Sequence, residues 1–478
     1  MLCGWLIAFS TAFAQTEIEG EVSGEWNAEG SPYIVVDSTW VPAGEELRIL
    51  EGVTVRFADQ TGLYVHGIMS AIGTEEDSVH FTTNEEGEEW LGIYFYQPEE
   101  EYEFDYCTIR NAYNALVTRW HTYVRVTNSD INCTFIAFGT LDPNENDHVG
   151  SRYYFENSII VGGRVTPLSR SSVIGINCYF STGGYEDGGW GFTNNGSVAL
   201  TDCDFVGSLS TTISGVYRNC IIFAPDSLGI NVGITGGGAL IQDCYVDGNV
   251  MVSNNGSDIL RNEIVKRLTV QSFTGLICDN VAGGLSIRDS QGAITVTNCV
   301  FYERVSISRS SEVELSDCHI LGNVDPGLLT LHLIGGTDQF SPACFIHNNL
   351  ILGKMAVRGN YLDLEMTNNT IIVESIENPL MATYLQNGSI KITNNIMICE
   401  GENDGLYLHY NEPGADALIN YNLIYGFDQF VFRNAFNDFD LDESNLFDVD
   451  PLLVSLDPLD PRPTRNSPFL PSPFPRRR

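Results

Sequence analysis

Basic residues are scarce in this chain. Its 478 residues include 24 lysines and arginines, only three of them lysines, against 62 aspartates and glutamates, for a net charge of −38. A surface of this sign repels nucleic-acid phosphates and anionic lipids, so we expect neither as a partner. Beyond the first residues, no segment approaches the ~20 continuous apolar residues that span a bilayer, so no transmembrane helix is expected.

The sequence also lacks the short motifs of metal and catalytic sites. Its 12 cysteines and 8 histidines form no CxxC and no HExxH pair, which argues against a zinc site. No motif supplies a carboxylate pair, or a carboxylate with a basic partner, at interpretable spacing. The catalytic residues of any activity are therefore unknown at this level, and no cofactor is predicted.

A short repeat dominates the chain. Alternating apolar residues, then usually Asn or Asp, then Cys, Asn or Ser, recur fifteen times between Cys107 and Asn422, as in LTDCDF at Leu200 and ITNNIM at Ile392. The steps cluster near 20 residues and contain no helical stretch. This period predicts coils of β-strand stacked one above the next, which is a solenoid.

The repeat predicts one column of equivalent corner positions. An amide side chain both donates and accepts, so corner residues such as Asn348, Asn368 and Asn394 are predicted to hydrogen-bond from coil to coil. The positions assigned to the column are Cys133, Ser158, Cys178, Cys203, Cys220, Cys244, Asn262, Asp279, Cys299, Cys318, Asn349, Asn369, Asn395 and Asn422.

Cysteines concentrate in or beside this column. Stacked coils place equivalent residues about 4.8 Å apart. Parallel side chains in one column rarely reach the ~90° dihedral angle of a disulfide. We therefore predict buried, reduced thiols that pack as small apolar groups.

The composition of the two ends predicts the division of the chain. Residues 1–14 read as a signal peptide because an apolar stretch ends in the small-x-small sequence Ala12-Phe13-Ala14, so we expect a secreted or cell-surface protein. Residues 15–40 are assigned to an N-terminal cap region and residues 41–451 to the solenoid. Residues 452–478 are basic and rich in proline, which predicts a disordered tail from a truncated or frame-shifted terminus.

The Asn- and Cys-cornered coils resemble the right-handed parallel β-helix of the pectin-lyase-like superfamily. The opening, from SPYIVVDSTW at Ser31 to WLGIYF at Trp90, is similar to the first coils of large secreted bacterial β-helix repeat proteins. The resemblance spans roughly Gly20 to Pro451 and implies an all-β, single-stranded right-handed parallel β-helix. Fifteen corners and about three opening coils give roughly 18 coils, and we expect a monomer. It implies no single activity, because the superfamily includes polysaccharide lyases, glycoside hydrolases, adhesins and proteins without a known reaction.

An aromatic insertion between two coils is the candidate ligand site. The sequence STGGYEDGGWGFTNN from Ser181 places Tyr185 and Trp190 among glycines, beside Glu186 and Asp187. Aromatic rings stack on the C–H faces of sugars while carboxylates accept hydrogen bonds from their hydroxyls. The segment therefore predicts glycan binding, and the alternative is a loop that folds its rings back onto the solenoid.

One segment with alternating oxygen-bearing side chains is a candidate calcium site. DPNENDH places Asp142, Asn144 and Asn146 at the alternate positions that a calcium loop uses. Pro143 and the lack of a following glycine favour a solvated loop instead. NDFDLDE from Asn437 offers Asp438, Asp440 and Asp442 in the same way, but it falls in the last coil of the resemblance, which favours a structural role.

Two classes of function remain from the sequence. The first is a non-catalytic secreted or cell-surface β-helix that binds a polysaccharide or serves as a structural spacer. The second is a polysaccharide lyase or glycoside hydrolase whose site is assembled from residues far apart in the chain. An exposed groove lined by carboxylates plus an arginine would favour the enzyme.

Overall fold

The computed structural model is a parallel β-solenoid of about 15 turns, with 67% strand and 1% helix. The all-β solenoid predicted from the repeat is confirmed, with about 15 turns beside the roughly 18 coils expected. No helix in the described part of the chain is long and apolar enough to cross a membrane. The structure describes residues 15–97, 99–119, 121–140, 150–166, 171–182, 192–194, 196–207, 209–223, 232–322, 329–335, 343–374, 381–400, 404–410, 416–427, 429–433 and 442–451.

Short strands follow one another around each turn of the chain. In the first part of the sequence they are β1 (Thr16–Glu21), β2 (Gly24–Trp26), β3 (Tyr33–Val41), β4 (Glu46–Ile49), β5 (Thr54–Phe57), β6 (Gly62–Val65), β7 (Ile68–Ile72), β8 (Val79–Thr83), β9 (Gly92–Phe95), β10 (Glu101–Asp105), β11 (Cys107–Thr118), β12 (Tyr123–Thr127), β13 (Asp130–Thr140), β14 (Arg152–Glu156), β15 (Ile159–Gly162), β16 (Arg164–Thr166), β17 (Ser172–Ile176), β18 (Tyr179–Thr182), β19 (Phe192–Asn194), β20 (Ser197–Thr201), β21 (Asp204–Val206), β22 (Leu209–Thr211), β23 (Ser214–Arg218) and β24 (Ile221–Phe223). A 3-10 turn at Ala28–Gly30 is the helical element among them.

The same succession of strands continues through the second part of the sequence. The strands there are β25 (Val232–Ile234), β26 (Ala239–Gln242), β27 (Tyr245–Asp247), β28 (Val250–Leu260), β29 (Glu263–Cys278), β30 (Val281–Arg288), β31 (Ala293–Thr297), β32 (Val300–Phe301), β33 (Val305–Ser308), β34 (Glu312–Ser316), β35 (His319–Ile320), β36 (Leu329–Ile334), β37 (Ala343–His347), β38 (Leu350–Leu352), β39 (Lys354–Thr367), β40 (Thr370–Glu374), β41 (Met381–Thr393), β42 (Ile396–Glu400), β43 (Asp404–Tyr410), β44 (Asp416–Asn420), β45 (Leu423–Tyr425), β46 (Gln429–Arg433) and β47 (Leu446–Phe447).

The chain forms two compact units. Unit 1 contains Met1–Ser214 and Cys220–Leu228, and unit 2 contains Gly215–Asn219 and Gly229–Arg478. In unit 1, β1 already pairs in parallel with β3, so strand pairing begins within the region assigned to the cap. The predicted signal peptide and tail lie outside the described residues.

The alternation of apolar residues sets which side chains face the interior. In β20 of unit 1, Val198 and Leu200 are buried while their neighbours are partly exposed, and Phe205 turns inward after the corner, as the sequence predicted. β20 pairs in register with β17, which places Val198 over Val173 of the previous coil. The core of each coil is therefore a layer of apolar side chains stacked on the next.

Each corner of the repeat depends on one residue with a positive φ. Asn and Asp tolerate this left-handed backbone better than most side chains, which explains their frequency in the repeat. The corner residues, with φ between 49° and 59°, are Tyr106, Asn128, Asn157, Asn177, Asp202, Asn219, Asp243, Arg261, Asp279, Asn298, Asp317, Asn348, Asn368, Asn394 and Tyr421.

The residue after each corner enters a buried polar column. In unit 2, the Asn395 side-chain oxygen accepts from the backbone N–H of Asn369 at 2.9 Å, and Asn369 accepts in the same way from Asn349 at 3.0 Å. The amide of Asn395 donates to the carbonyl oxygens of Met366 and Thr393 at 3.0 and 3.1 Å. The column thus supplies partners to backbone groups that the sharp corner removes from the strand ladder.

Two details of the predicted column were wrong. The ladder is made by Asn349, Asn369 and Asn395, whereas Asn348, Asn368 and Asn394 are the exposed left-handed residues that precede it. The column also runs through Ser129 and Asn280 rather than Cys133 and Asp279, since Ser129 accepts from the Cys107 N–H and Asn280 from the Asn262 N–H, each at 2.9 Å. At Asp279 and at the three asparagine pairs, adjacent polar residues leave the register of the corner open by one position, whereas Ser129 lies four positions before Cys133.

None of the described cysteines forms a disulfide, and all except Cys278 are buried. Burial raises the pKa of Cys344 to about 12, and the pKa of the partly exposed Cys278 is raised to about 11, first by burial and then by Asp279. Column cysteines such as Cys203, Cys299 and Cys318 are at most 1% exposed, so they pack as small buried groups, as the sequence predicted.

We expect thiol reagents to modify few cysteines in the native protein and most of them after denaturation. The thiolate is the reactive form, and burial disfavours it. Because the folded pKa of Cys344 is raised above the ordinary 9.0, the stability that this thiol contributes is complete below about pH 9 and is lost as pH rises towards 12. Mass-spectrometric detection of bridges such as Cys299 with Cys318 would contradict this account.

Candidate functional site

Most of the site residues predicted from the sequence cannot be placed. Tyr185, Glu186, Asp187 and Trp190 lie outside the described residues, as do Asp142, Asn144 and Asn146 of the calcium candidate. These assignments stay predictions. Within the described ranges, no group of three or more His, Cys, Asp or Glu side chains is arranged to hold a metal ion.

Of the last acidic run, Asp442 is described, while Asp438 and Asp440 are not. The Asp442 carboxylate accepts from the backbone N–H of Ser444 at 2.8 Å, and this bond is the largest cause that lowers its pKa. The Asp442 carbonyl oxygen also accepts from the Asn445 N–H at 3.0 Å. Asp442 thus stabilises a turn, which agrees with the structural role favoured from the sequence.

Unit 1 has partly exposed aromatic rings on the outer face of β6 and β9. Tyr64 stacks on Tyr94 with ring centroids 5.4 Å apart, and His66 stacks on Tyr96 at 4.6 Å. The guanidinium carbon of Arg119 lies 5.0 Å from the centroid of the Tyr96 ring. Sugars bind aromatic residues by stacking on the ring faces. Here those faces are in contact with side chains of neighbouring coils. The aromatic face is therefore better explained as packing between coils than as a sugar platform.

Unit 2 gathers basic side chains on one outer face. We call this surface the arginine face and define it by Arg267 of β29, Arg288 of β30, Arg304 just before β33, His332 of β36 and Arg358 of β39. The residues that follow or precede them in these strands point inward and are buried, among them Leu268, Ile287, Val305, Leu331 and Val357. In a chain with a net charge of −38, this local excess of positive charge is unusual.

A row of hydroxyl side chains runs through the middle of the arginine face. The register of β29, β30, β33 and β36 aligns Thr269 with Ser286, Ser286 with Ser306, and Ser306 with His332. Neighbouring coils are spaced by about 4.8 Å, so the row repeats a polar side chain at each step. Thr269 and Ser306 are partly exposed, whereas Ser286 and His332 are buried.

The arginines flank this row on both sides. Alternate residues of a strand share a face, so Arg304 lies beside Ser306 towards the strand start, and Arg288 lies beside Ser286 towards the strand end. Arg288 donates from Nε to the Ser286 hydroxyl at 3.0 Å. Arg267 occupies the strand-start side in register with Gly284, and Arg358 the strand-end side.

His332 is the most enclosed member of the arginine face, with 9% of its surface exposed. Arg304 Nη2 contacts His332 Nδ1. A guanidinium can only donate, so Nδ1 is the acceptor and a neutral imidazole carries its proton on Nε2. Among the described residues, neither His332 Nε2 nor Arg304 Nε has a hydrogen-bond partner, although both atoms are buried.

The surroundings hold His332 in its neutral form. Burial, followed by the positive charges of Arg304 and Arg358, lowers the pKa of His332 to about 4. Burial also lowers the pKa of Arg304, with Arg267 and Arg358 adding to the effect. At neutral pH, the arginines therefore supply the positive charge of the site while His332 supplies an uncharged N–H donor.

Glu303 and Gly284 allow Arg267 and Arg304 to lie close together. Arg267 Nη2 lies 3.7 Å from the carboxylate of Glu303, which neutralises part of the charge. Gly284 lies between two arginines, because a Cβ at that position would be 3.0 Å from the carbonyl oxygen of Arg304 and 3.6 Å from Arg267 Nε. The absence of a side chain at Gly284 leaves space for both arginines.

This arrangement is suited to a ligand that carries both anionic groups and hydroxyls. Guanidinium groups form charge-assisted hydrogen bonds with oxyanions, and Ser, Thr and neutral His exchange hydrogen bonds with hydroxyls. A buried N–H without an acceptor costs about 1–3 kcal/mol, so an acceptor that reaches His332 Nε2 or Arg304 Nε gains correspondingly.

The comparisons with known proteins add little to this picture. No protein-family model and no curated protein matches the chain. The A-module of mannuronan C-5 epimerase AlgE6 of Azotobacter vinelandii is similar at 12% identity and a TM-score of 0.15, over 80% of this chain and 89% of that one. The GH136 lacto-N-biosidase of Eubacterium ramulus is similar at 9% identity and a TM-score of 0.14, over 77% of this chain and 62% of that one. At these TM-scores neither likeness carries an argument about activity, so function must follow from the arginine face itself.

Sequence reasoning missed the arginine face. Its members are separated by 16 to 28 residues along the chain when taken in order from Arg267, Arg288, Arg304 and His332 to Arg358, so no local motif announces them. One signal was present: the scarce basic residues recur at outward positions of successive repeats between Arg267 and Arg358. Only strand register shows that they share a face.

Proposed function

We propose that this protein is an exported, non-catalytic β-solenoid that binds an acidic polysaccharide through the arginine face. The observation that carries the proposal is the polar row of Thr269, Ser286, Ser306 and His332 with arginines on both sides. An acidic polysaccharide presents carboxylates and hydroxyls at regular intervals, and the coils present guanidiniums and hydroxyls at regular intervals.

The charge of the whole protein makes this face selective. The net charge of −38 repels polyanions at long range, so an acidic polymer gains attraction only where positive charge is local. Each exposed ion pair contributes about 0.2–1 kcal/mol, which is small alone. Several such contacts along one polymer chain add through multivalency, so a polysaccharide should bind far better than a single acidic sugar.

The binding test compares an acidic polysaccharide with the same polymer after reduction of its carboxyl groups. We expect the acidic polymer to bind, the reduced polymer not to bind, and binding to weaken with added salt because exposed charges are screened. Replacement of both Arg288 and Arg358 by glutamine should lower the affinity about tenfold, equivalent to about 1.4 kcal/mol.

Matched variants locate the contact. Arg48→Gln removes an exposed arginine of unit 1 that pairs with Glu25 at 3.1 Å, and it should bind like the wild type. Replacing Tyr185 and Trp190 together by alanine tests the loop predicted from the sequence. Loss of binding in that variant, with retention in the Arg288 and Arg358 variant, would reject the arginine face. Absence of binding to every acidic polymer would leave a spacer role instead.

The proposal includes the absence of turnover. We expect no unsaturated or reducing-end products when the protein is incubated with uronate polymers or neutral glycans, with or without calcium. Such catalysis needs an acid and a base converging on one bond. Product release above a heat-inactivated control would replace this proposal with the polysaccharide lyase or hydrolase alternative.

A further inference from the structure

We infer that Arg304 is a positioning residue that fixes His332 as the Nε2–H tautomer, so that the imidazole donates a hydrogen bond to an oxyanion of the ligand. This inference rests on the proposed function of the arginine face and deepens it. It assigns His332 the role of an uncharged donor and assigns Arg304 the role of setting which nitrogen donates.

The contact between Arg304 and His332 determines which ring nitrogen of His332 carries the proton. Arg304 Nη2 contacts His332 Nδ1, and a guanidinium has no lone pair to accept with. Nδ1 must therefore present its lone pair, which leaves the proton of the neutral ring on Nε2. Free imidazole has no such constraint, so the tautomer here is set by a partner outside the ring.

His332 Nε2 is the buried N–H group that this arrangement leaves without an acceptor. The ring is more than nine-tenths buried, and Nε2 has no hydrogen-bond partner among the described residues. Arg304 Nε is a second buried donor that has no hydrogen-bond partner among the described residues. These two N–H groups without acceptors, on side chains that contact each other, favour an oxygen-rich anionic group over a cation or an apolar ligand.

The charges around His332 keep it from acting as a cation. Glu303 and Arg304 precede β33 on one side, and Lys354 and Arg358 belong to β39 on the other. The pKa of His332 is lowered by burial and then by the two arginines, Arg304 and Arg358. The imidazole therefore donates without adding a charge to a site already crowded with guanidiniums.

The position of Arg304 is itself fixed by the backbone. Its carbonyl oxygen accepts from the Leu285 N–H at 3.2 Å, and Leu285 is in register with Val305. Gly284 beside it has no Cβ to displace the chain. Arg304 thus reaches His332 from the neighbouring coil, and a change at residue 304 acts on the imidazole rather than on the core.

The test is nitrogen NMR of the full chain labelled at its histidines, with His332→Asn used to assign the signal of His332. We expect the wild type to show the Nε2–H tautomer at pH 7 and Arg304→Leu to show a mixture, with a His332 pKa that moves up towards the ordinary 6.5. Arg304→Lys can still donate to Nδ1, so it should restore the Nε2–H tautomer. An unchanged tautomer and pKa in Arg304→Leu would overturn the inference, as would failure of Arg304→Lys to restore the wild-type signal.

A second measurement separates this inference from the proposed function. A short uronic-acid oligosaccharide added to the wild type should shift the His332 Nε2 signal, and Arg304→Leu should lower its affinity about tenfold while Arg304→Lys recovers most of the loss. A matched sulfated oligosaccharide shows whether His332 Nε2–H also donates to a sulfate group. Failure of every acidic ligand to bind rejects the proposed function, and the tautomer spectra still decide the role of Arg304. Binding that leaves the Nε2 signal unmoved keeps the proposed function and rejects His332 as its donor.

Discussion

Replacing Asn395 with leucine is expected to lower the free energy of unfolding of unit 2 by about 3–6 kcal/mol, because several buried polar groups lose partners at about 1–3 kcal/mol each. Asn395 is 0% exposed. Its amide donates to the carbonyl oxygens of Met366 and Thr393, and its side-chain oxygen accepts from the backbone N–H and the side-chain amide of Asn369. Leucine has a similar size but supplies none of these bonds. The shift in denaturation midpoint, followed by circular dichroism, measures the loss.

The preceding residue provides a control in the same corner. Asn394 is exposed with a φ of 57°, and glycine adopts this backbone without strain, so Asn394→Gly should change the free energy of unfolding by less than about 1 kcal/mol. Equal losses in the two variants would contradict the assignment of the ladder to the residue after the corner.

Two substitutions at Cys318 should differ strongly in their effect on the free energy of unfolding. Cys318 is buried, and its backbone N–H donates to the Asn349 side-chain oxygen at 2.9 Å. Cys318→Asn extends the asparagine ladder by one coil, so it should change the free energy of unfolding by no more than about 1 kcal/mol. Cys318→Asp has nearly the same shape but brings a buried carboxylate without a cationic partner, and it should lose about 3–5 kcal/mol at pH 7.

The pH dependence of the Cys318→Asp loss identifies its cause. Burial raises the pKa of a carboxyl group, so the folded aspartate variant binds its proton more tightly than the unfolded chain does. Its stability relative to Cys318→Asn should therefore recover as pH falls from 7 towards 4 and worsen again as pH rises. Equal stability of the two variants at all pH values would show that residue 318 is not enclosed by the neighbouring coils.

The fold could be predicted from the sequence because every repeat has the same alternation of apolar residues and the same kind of corner residue. Alternating residues such as Val198 and Leu200 define the inner face of a strand, and a residue such as Asp202, with a φ of 54°, defines the corner. The exact register could not be predicted, since Asn394 and Asn395 are chemically identical. Their roles differ only in backbone angle and burial, which depend on the coils above and below.

The arginine face could not be predicted for a related reason. Arg304 and His332 are 28 residues apart, and their contact depends on a coil of irregular length between β33 and β36. The repeat shows that the coils stack, but a varying loop length hides which outward residues become neighbours. The aromatic loop at Tyr185 was visible in the sequence because its residues are adjacent, and it lies outside the described structure.

Arginine footprinting by mass spectrometry tests the proposed binding surface most directly. An arginine-specific dicarbonyl reagent is applied to the full chain with and without an acidic polysaccharide, and the extent of modification at each arginine is compared. We predict that the polysaccharide protects the exposed Arg288 and Arg358 by at least about tenfold, as expected when a bound site is largely occupied. Exposed Arg48 and Arg56 in unit 1 should be modified equally in both samples. Protection of Arg48 and Arg56 to the same extent, or no protection of Arg288 and Arg358 under conditions where the polymer is bound, would contradict the arginine face as the binding site.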